Sequence, residues 1–349
     1  MWNNVNGNIN RGESMRKRVT IEMIAKDAGV SKMTVSRAIN NPEKLKRGTL
    51  IRILNSMKKY EYKPRFVARI LAGSRSNTFG FIVKSNEDFV IPPFYGECVR
   101  AASNWFKKHN YRSMIFNMSD EQSASLFIDY VNSGLIDGLI LFEGTHEKSL
   151  LKALKSNDIP VVLVGEDPGG TYDFYSVSSN NYNGARMAVE YLIAKGSREI
   201  CYITGIGTKP SVEERLRAYT DVMCEHNLEA ISVPAENTLR GGVKAVEELI
   251  EKHPSFDALF CFTDLIAIGA LRGLRKRGFD VPKDVRVVGF DNIHISEYVF
   301  PSLTTVSQDM TLMGEIAART LLQIMDETQP NDSEKHVKLP TRLIIRESA

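Results

Sequence analysis

Residues 20–40 read TIEMIAKDAGVSKMTVSRAIN, and this stretch decides the fold of the first part of the chain. Thr20 is a good helix N-cap. Apolar residues then recur at helical spacing at Ile21, Ile24, Ala25 and Ala28. Gly29 can adopt the left-handed conformation that ends a helix, and Ser31 is a second N-cap. The stretch therefore predicts two short helices joined by a tight turn, which is the layout of a helix-turn-helix.

The second predicted helix has an apolar and a polar face. Its inward face consists of Val35, Ala38 and Ile39, and it ends before Pro42. Its outward face near the N-terminal end consists of Lys32, Met33, Ser36 and Arg37. A third helix is predicted from Thr49 to about Tyr60, with Ile51, Leu54 and Met57 facing inward.

The charge of the chain is divided unevenly. Residues 1–75 hold 17 Lys and Arg against 5 Asp and Glu, a net charge of +12, whereas the whole chain carries only +3. The remaining residues are therefore acidic. A small basic head on an acidic body predicts a polyanionic partner for the head.

The outward face of the second helix has the chemistry of a DNA reader. In a helix-turn-helix its N-terminal end enters the major groove. Arg37 can pair with guanine, Lys32 can reach a base or a phosphate, and Met33 can pack on a thymine methyl. The alternative is a merely solvated polar face, and the basic charge favours DNA. The predicted contacts in the head are Thr20, Ser31, Lys32, Met33, Thr34, Ser36, Arg37 and Asn40.

A short amphipathic segment follows Pro64. Val67, Ile70 and Leu71 have helical spacing over less than three turns, and a helix this short is marginal alone. Gly73, Ser74 and Ser76 then form a flexible link. Two interpretations remain open: an inert linker, or a hinge helix that orders only on DNA, where a leucine wedges a base step open from the minor groove.

From residue 78 onwards, buried apolar runs alternate with amphipathic helices. The predicted strands are 79–83, 113–118, 137–143, 159–165, 199–205, 258–262 and 285–290, and the predicted helices are 94–109, 148–156, 184–195, 212–226, 242–252 and one from 265. This alternation predicts parallel sheets in two similar α/β lobes. Ligands bind such sheets outside the carboxyl ends of the strands, so the cleft between the lobes is the expected site.

Several classes of protein are not favoured. There is no apolar run of about 18 residues, which disfavours a membrane span, and the first 15 residues lack the apolar core of a secretory signal. The four cysteines and six histidines do not have the spacing of metal ligands, so we expect no metal and no cofactor. Scattered cysteines are typical of reduced thiols, and we expect a bacterial cytoplasmic protein that is associated with the nucleoid. GxSxG, Walker and complete GxGxxG motifs are missing, so an enzyme is not expected.

The segment TIEMIAKDAGVSKMTVSRAIN, followed by VARILAG, resembles the lactose/galactose repressor (LacI/GalR) family of bacterial transcription regulators. PPFYGECVRAA, SSNNYNGARMAVEYL, DVRVVGFDN, PSLTTVSQDM and KLPTRLIIRES resemble further family segments, so the resemblance covers about residues 19–348. It implies an all-α helix-turn-helix head and a two-lobe α/β effector domain like periplasmic sugar-binding proteins. It also implies that Lys32 and Met33 read bases, that Arg37 contacts a base or phosphate, and that Leu71, with Ala72 beside it, is the intercalating hinge residue.

The resemblance also sets expected domain boundaries. We expect an N-terminal extension at 1–18 without order, a DNA-binding domain at 19–63, a hinge helix and linker at 64–77, and an effector and dimerisation domain at 78–349. The N-lobe is expected at about 78–177 and 308–336 and the C-lobe at about 178–307 and 337–349, with crossings near 178, 307 and 337. Met15 resembles the family start, so we hypothesise that residues 1–14 are not native.

Effector contacts follow from the resemblance position by position. The matching residues are Phe94, Tyr95, Lys209, Ser211, Arg215, Asn237, Thr263, Asp264 and Asp291. A carboxylate such as that of Asp291 can accept two sugar hydroxyls. Asp264 is equally interpreted as the N-cap of the next helix, and Phe94 can simply pack in the core. A sugar effector is the default, a purine-type corepressor is the runner-up, and a solute-binding receptor is a third alternative that the basic head disfavours.

The expected assembly is a two-fold homodimer. One head reads one half-site, so a dimer is expected to read a palindromic double-stranded operator. The expected effect on transcription is repression. The family's tetramer-forming leucine heptads are missing before the end at ESA, so we expect a dimer rather than a tetramer.

Overall fold

The computed structural model describes residues 19–40, 42–62, 75–85, 91–117, 127, 129–144, 148–166, 173–253, 255–326, 328 and 335–349. The chain divides into two compact units, Met1–Ser76 and Asn77–Ala349. We call the first unit the head and the second the effector domain. None of the helices in these described ranges is long and apolar enough to cross a membrane.

The head contains the predicted helix-turn-helix. Its helices are α1 (Ile21–Ala28), α2 (Lys32–Asn40) and α3 (Arg47–Lys59), with a 3-10 helix at Pro42–Lys44 before α3. They enclose a small core whose buried apolar members are Ile24, Ala25, Ala28, Val35, Ala38 and Ile53. This core holds α2 against α1 and α3, so the orientation of its polar face is fixed by packing.

The turn between α1 and α2 is built by the residues that predict it. The Thr20 hydroxyl accepts from the Met23 N–H, which caps α1. Gly29 has φ +65°, the left-handed conformation that ends a helix, and the Ser31 hydroxyl accepts from the Thr34 N–H at 3.1 Å. The predictions of these caps are confirmed.

The prediction for the third helix is wrong in its start and in two of its three inward residues, whereas Met57 packs against the core as predicted. The helix begins at Arg47 rather than Thr49, and Ile51 and Leu54 are 48% and 50% exposed. Ile53 and Ser56 face the core instead, and the Ser56 hydroxyl lies 3.5 Å from the Ile24 carbonyl. Two apolar stripes one residue apart both satisfy helical spacing, and only packing against α1 selects between them.

The effector domain has two six-stranded sheets. The N-lobe sheet has the order β11-β5-β4-β3-β1-β2 and the C-lobe sheet has the order β12-β10-β9-β8-β6-β7. The strands are β1 (Thr78–Val83), β2 (Arg112–Asn117), β3 (Gly138–Phe142), β4 (Val161–Val164), β5 (Tyr175–Ser179), β6 (Ile200–Gly205), β7 (Ile231–Ala235), β8 (Ala258–Cys261), β9 (Arg286–Asp291), β10 (Thr304–Ser307), β11 (His336–Leu339) and β12 (Arg342–Ile344). All pairs are parallel except β10 with β12, so the fold class is confirmed.

Helices cover both sheets. They are α4 (Pro93–Lys108), α5 (Lys148–Ser156), α6 (Asn181–Ala194), α7 (Pro210–Glu225), α8 (Leu239–Lys252), α9 (Asp264–Lys276) and α10 (Met310–Met325). The chain leaves the N-lobe sheet after Ser179, returns to it after Ser307 and leaves it again after Leu339. The sequence placed these crossings near residues 178, 307 and 337. Strands β5, β7, β10, β11 and β12 and helix α10 have no counterpart among the elements predicted from apolar pattern alone.

Helices α8 and α9 approach closely where two glycines face each other. A Cβ on Gly242 would lie 3.0 Å from Gly269 Cα, and a Cβ on either glycine would overlap a backbone carbonyl of the other helix. We expect Gly269→Ala to lower the free energy of unfolding of the effector domain by about 1–3 kcal/mol. The added methyl group would overlap the backbone of α8, which cannot move aside as a flexible side chain can. Thermal unfolding measures this as a lower melting temperature.

Gly96→Ala is the matched control for this prediction. Gly96 also lies inside a helix of the effector domain, but a Cβ there would meet only Ile91 Cγ2 at 3.9 Å. Its replacement should be neutral or stabilise by about 0.5–1 kcal/mol. Equal melting temperatures for the two variants would contradict the importance of the close approach.

Candidate effector cleft and DNA-binding face

The exposed face of α2 carries the residues predicted to read DNA. Met33 is 72% exposed, which is unusual for a large apolar side chain. Lys32 and Arg37 are exposed on the same helix, while Val35 and Ala38 are buried beneath them. Within the described part of the head, Arg37 has no hydrogen bond or ion pair, so its guanidinium is available to a ligand.

The other predicted DNA contacts have local structural roles. Thr20 and Ser31 cap α1 and α2, and the hydroxyls of Ser31 and Thr34 lie 2.8 Å apart. Ser36 is half-buried on α2, and Asn40 is the last residue of that helix. Leu71 and Ala72 lie outside the described residues.

A cleft between the lobes collects most of the predicted effector residues. It is lined at the carboxyl ends of parallel strands in both sheets, as expected for α/β proteins. The lining is formed by Pro92, Phe94, Tyr95, Glu143, Val164, Gly165, Ser178, Ser179, Asn181, Lys209, Ser211, Arg215, Asn237, Phe262, Thr263, Asp291, Gln308 and Met313. The structure brings eight of the nine predicted residues to this cleft.

Arg215 is a buried guanidinium at the C-lobe side of the cleft. Its Nε and Nη2 donate to Asn181 Oδ1 at 2.9 and 2.8 Å, and its Nη1 donates to the Phe262 carbonyl at 2.5 Å. Its Cζ lies 3.5 Å from the centre of the Phe290 ring. Burial lowers the pKa of Arg215 and the nearby Asp291 carboxylate opposes that shift. The guanidinium is thus fixed before any ligand arrives.

Asp291 is the buried carboxylate that faces Arg215. One of its oxygens lies 4.0 Å from Arg215 Nη1 and accepts from Gln308 Nε2 at 2.6 Å. Asp291 has φ +121°, a conformation that side-chain-bearing residues rarely adopt. Burial raises the pKa of Asp291, since the charge lacks full compensation. Desolvation and backbone strain are together typical of functional positions, which makes Asp291 a candidate ligand contact.

Glu143 and Lys209 meet across the cleft from opposite lobes. Glu143 Oε1 accepts from the Ser211 N–H at 3.0 Å. The Lys209 side chain lies against Gly144, where a Cβ would overlap it. Burial raises the pKa of Glu143 and lowers the pKa of Lys209, while the charge of Glu143 opposes the shift of Lys209. These contacts join the two lobes across the cleft.

Lys338 forms a second link between the lobes. Its Nζ lies 2.8 Å from Glu166 Oε1 in the N-lobe and 3.0 Å from Glu214 Oε1 on α7 of the C-lobe. The two carboxylates raise the pKa of Lys338 against the opposing effect of its burial. One ammonium therefore joins both lobes at the side of the cleft.

Aromatic side chains form the N-lobe wall. Phe94 and Tyr95 begin α4, their ring centres lie 5.8 Å apart, and both are partly buried. The Tyr95 ring is tilted by 37° against the Phe142 ring at a centre distance of 4.7 Å, and the Tyr95 hydroxyl lies 3.4 Å from the Glu143 carbonyl. Burial raises the pKa of the Tyr95 hydroxyl, which therefore stays protonated as a donor. Phe94 both lines the cleft and packs against the N-lobe core.

Thr263 and Asn237 are linked to each other, and Asp264 turns away from the cleft. Thr263 Oγ1 lies 2.6 Å from Asn237 Oδ1 and caps α9 by accepting from the Ile266 N–H. Asp264 is fully buried, and its two oxygens accept from Thr305 Oγ1 at 2.5 Å and from the Ile293 N–H at 2.8 Å. Asp264 does not line the cleft, and the alternative prediction that it is the N-cap of α9 is wrong, because Thr263 caps that helix. Through these two hydrogen bonds the carboxylate links α9 to strand β10 and to the segment that follows β9.

The cleft volume is only about 90 Å³, well below the roughly 300–1,000 Å³ of ordinary ligand pockets. A groove of about 720 Å³ elsewhere is lined by residues including Glu97, Arg100 and Arg342. That groove includes residues at the carboxyl ends of β9, β10 and β11 and shares Gln308 with the cleft, but none of its charged lining residues is buried. The cleft brings the buried Arg215 and Asp291 together, so it is the better candidate.

Sequence reasoning missed several polar lining residues, chiefly Glu143, Asn181 and Gln308. Each follows a strand directly: Glu143 after β3, Asn181 just after β5 and Gln308 after β10. The strand-end rule alone would have identified Glu143, whose strand was predicted. Among the described residues, no group of His, Cys, Asp and Glu is arranged to hold a metal ion.

The comparisons with known proteins agree with this architecture. Residues 20–65 match the model for "Bacterial regulatory proteins, lacI family", and residues 189–349 match "Periplasmic binding protein-like domain". The HTH-type transcriptional regulator RegA of Clostridium acetobutylicum is 34% identical over 342 residues, covering 94% of this chain and 98% of that protein. Catabolite control protein A of Priestia megaterium is 31% identical, covering 95% and 99%.

Solved structures show the same fold. A complex of the transcriptional regulator CelR with cellobiose has a TM-score of 0.74 at 28% identity, covering 95% of this chain and 100% of that one. The lac repressor dimer bound to operator and an anti-inducer has a TM-score of 0.81 at 22% identity, covering 95% and 99%. The chain has a helix-turn-helix head and a periplasmic-binding-protein-like effector domain. It belongs to the LacI family and is a DNA-binding transcriptional regulator.

Proposed function

We propose that this regulator binds a palindromic operator as a homodimer and represses transcription under the control of a sugar bound in the interlobe cleft. The cleft carries the proposal, because its polar groups and aromatic wall match a polyhydroxylated ring. Glu143 and Asp291 can each accept hydroxyl protons, and Phe94 and Tyr95 offer aromatic faces. CelR, a relative, was solved with cellobiose, which supports the same ligand class.

A purine-type corepressor is the weaker candidate. A purine base such as guanine or hypoxanthine presents O6 and ring nitrogens as acceptors and N–H groups as donors, so it needs both donors and acceptors from the protein. The cleft offers Lys209 and Arg215 as donors, but Arg215 already donates to Asn181 and Phe262. The carboxylates could accept from purine N–H groups, but few donors are left for the purine acceptors, whereas sugar hydroxyls can donate to both carboxylates.

The test is a thermal-shift screen of the purified chain against sugars, sugar phosphates, nucleosides and purine bases. Ligand that binds the folded state raises the melting temperature by mass action. A sugar hit that also weakens operator binding would support the proposal. A purine hit that strengthens operator binding would contradict it and reverse the sign of the switch.

Homodimer formation is supported by exposed apolar side chains. Tyr298 and Phe300 of the C-lobe are 66% and 82% exposed, and Met114 and Ile115 on the edge strand β2 are 41% and 48% exposed. We propose that some of these side chains contact the second protomer. A two-fold dimer presents two heads to two half-sites, and sedimentation should give a dimer mass.

We further propose a cytoplasmic location and an operator-dependent hinge at Leu71.

We propose that effector binding changes operator affinity through closure of the two lobes. Lys338, which pairs with both lobes, should stabilise the closed arrangement. We expect Lys338→Met to speed hydrogen exchange of the Ser211 N–H up to about fivefold, because partly exposed ion pairs contribute only about 0–1 kcal/mol. Ser211 is the reporter because its N–H crosses the cleft to Glu143.

Lys335→Met is the control for Lys338→Met. Lys335 pairs with Asp173 at 2.6 Å, and both residues belong to the N-lobe. Its loss should leave exchange at Ser211 unchanged. Equal acceleration by both variants would show that the interlobe position of Lys338 does not matter.

A further inference from the structure

A carboxylate lies beside the DNA-reading residues of the head. Glu22 is in the first turn of α1, and its Oε1 forms an ion pair with Nζ of Lys32, the first residue of α2. Its Oε2 accepts from the Thr20 hydroxyl at 3.3 Å. The side chains of Lys32 and Glu22 are 62% and 56% exposed, so the pair is on the surface that presents Lys32.

A carboxylate at this place needs an explanation, because a surface that approaches phosphates gains from positive charge. A second acidic residue of α1, Asp27, has an ordinary structural role. Its Oδ1 accepts from Lys59 Nζ at 2.6 Å and from the Tyr60 hydroxyl at 3.1 Å, which ties α1 to α3. Glu22 instead pairs with Lys32, a residue that we predict to contact DNA.

The pair limits what Lys32 can contact. An unrestrained lysine is a flexible point charge that can reach a phosphate as easily as a base. Glu22 takes one of the three N–H donors of the ammonium and leaves two for a ligand. Its negative charge also repels a phosphate that approaches the same ammonium. A base edge with neutral acceptors, such as guanine O6 and N7, meets no such repulsion.

We propose that Glu22 is a positioning residue that directs Lys32 to a guanine edge in the major groove and thereby sets discrimination at that base pair. The inference rests on the proposed function, since it requires α2 to read the operator. Glu22 contributes specificity at some loss of overall affinity, because its charge weakens the attraction of the head to the backbone.

The experiment compares the full-length chain with Glu22→Gln, Lys32→Ala and Asp27→Asn. An operator is first selected from random duplexes with the unaltered protein. Affinities are then measured for that operator and for duplexes changed at each base pair, over a series of salt concentrations. Lys32→Ala identifies the base pair that Lys32 reads, as the position where discrimination is lost.

The expected result is a tenfold loss of discrimination by Glu22→Gln at the base pair identified with Lys32→Ala, within the range for one base contact. The salt dependence should steepen by about 0.9 in slope for each head, because a released Lys32 contacts a phosphate. Asp27→Asn, the matched control, should change affinity equally for all duplexes and leave the slope unchanged.

Two results would overturn the inference, and they differ. If Lys32→Ala loses discrimination while Glu22→Gln keeps it within twofold with an unchanged slope, Lys32 reads a base without help from Glu22, and the proposed function stands. If Lys32→Ala itself leaves discrimination intact at every position, both the inference and the base-reading role of Lys32 fail.

Discussion

Replacing Arg37 with alanine is expected to weaken operator binding about thirtyfold or more. A bidentate contact between arginine and guanine is worth about 1–3 kcal/mol of discrimination, and a dimer makes the contact once in each half-site. Arg37 is exposed on α2 and has no hydrogen-bond or ion-pair partner in the described head. Its removal should therefore leave the folding of the head unchanged. Titration of labelled operator at fixed salt measures the loss.

The specificity of this loss separates a base contact from general charge. Arg52 is also an exposed arginine of the head, but it lies on α3. Arg52→Ala should weaken binding to all duplexes alike, if it weakens binding at all. Arg37→Ala should abolish the preference for one base pair in each half-site, and effector binding should be unaffected. Retained preference would refute the reading role of Arg37.

The local structure of the head was predictable because its signals are local. Thr20, Gly29 and Ser31 act through hydrogen bonds and dihedral angles within a few residues of themselves. The inward face of α3 was not predictable in the same way. Ile53 is buried and Ile51 is exposed because of a contact with α1, which lies more than twenty residues away in sequence.

The cleft shows a similar division. The strand-end rule locates the region, since the lining residues follow strands in both sheets. It does not distinguish Asp264 from Asp291, because each carboxylate is at the end of a strand or just beyond one. The difference is the environment: Asp264 is satisfied by Thr305 and Ile293, whereas Asp291 faces Arg215 and lines the cleft. Only three-dimensional packing supplies that information.

Asp291→Ala is expected to weaken effector binding by a hundredfold or more while operator affinity in the absence of effector is unchanged. A hydrogen bond to a charged group contributes about 1.5–3 kcal/mol, and two hydroxyls bound to one carboxylate double that figure. The burial that raises the pKa of Asp291 shows that its charge is not fully compensated before ligand binds. Because Asp291 also accepts from Gln308 and faces the buried Arg215, thermal unfolding should confirm that the variant is folded before it is titrated. Calorimetric titration with the sugar found in the screen measures the affinity.

Two companion variants make the prediction specific. Asp291→Asn keeps the side-chain shape and tolerates φ +121° better than alanine, so it should lose only about tenfold through the missing charge. Asp264→Asn removes an equally buried carboxylate that does not line the cleft. It should lower the melting temperature, because an amide cannot accept from both Thr305 and Ile293 on two oxygens, yet the folded protein should bind effector normally. If Asp264→Asn impairs effector binding as severely as Asp291→Ala, the effector does not contact Asp291 directly and the effect of both carboxylates is on the shape of the C-lobe.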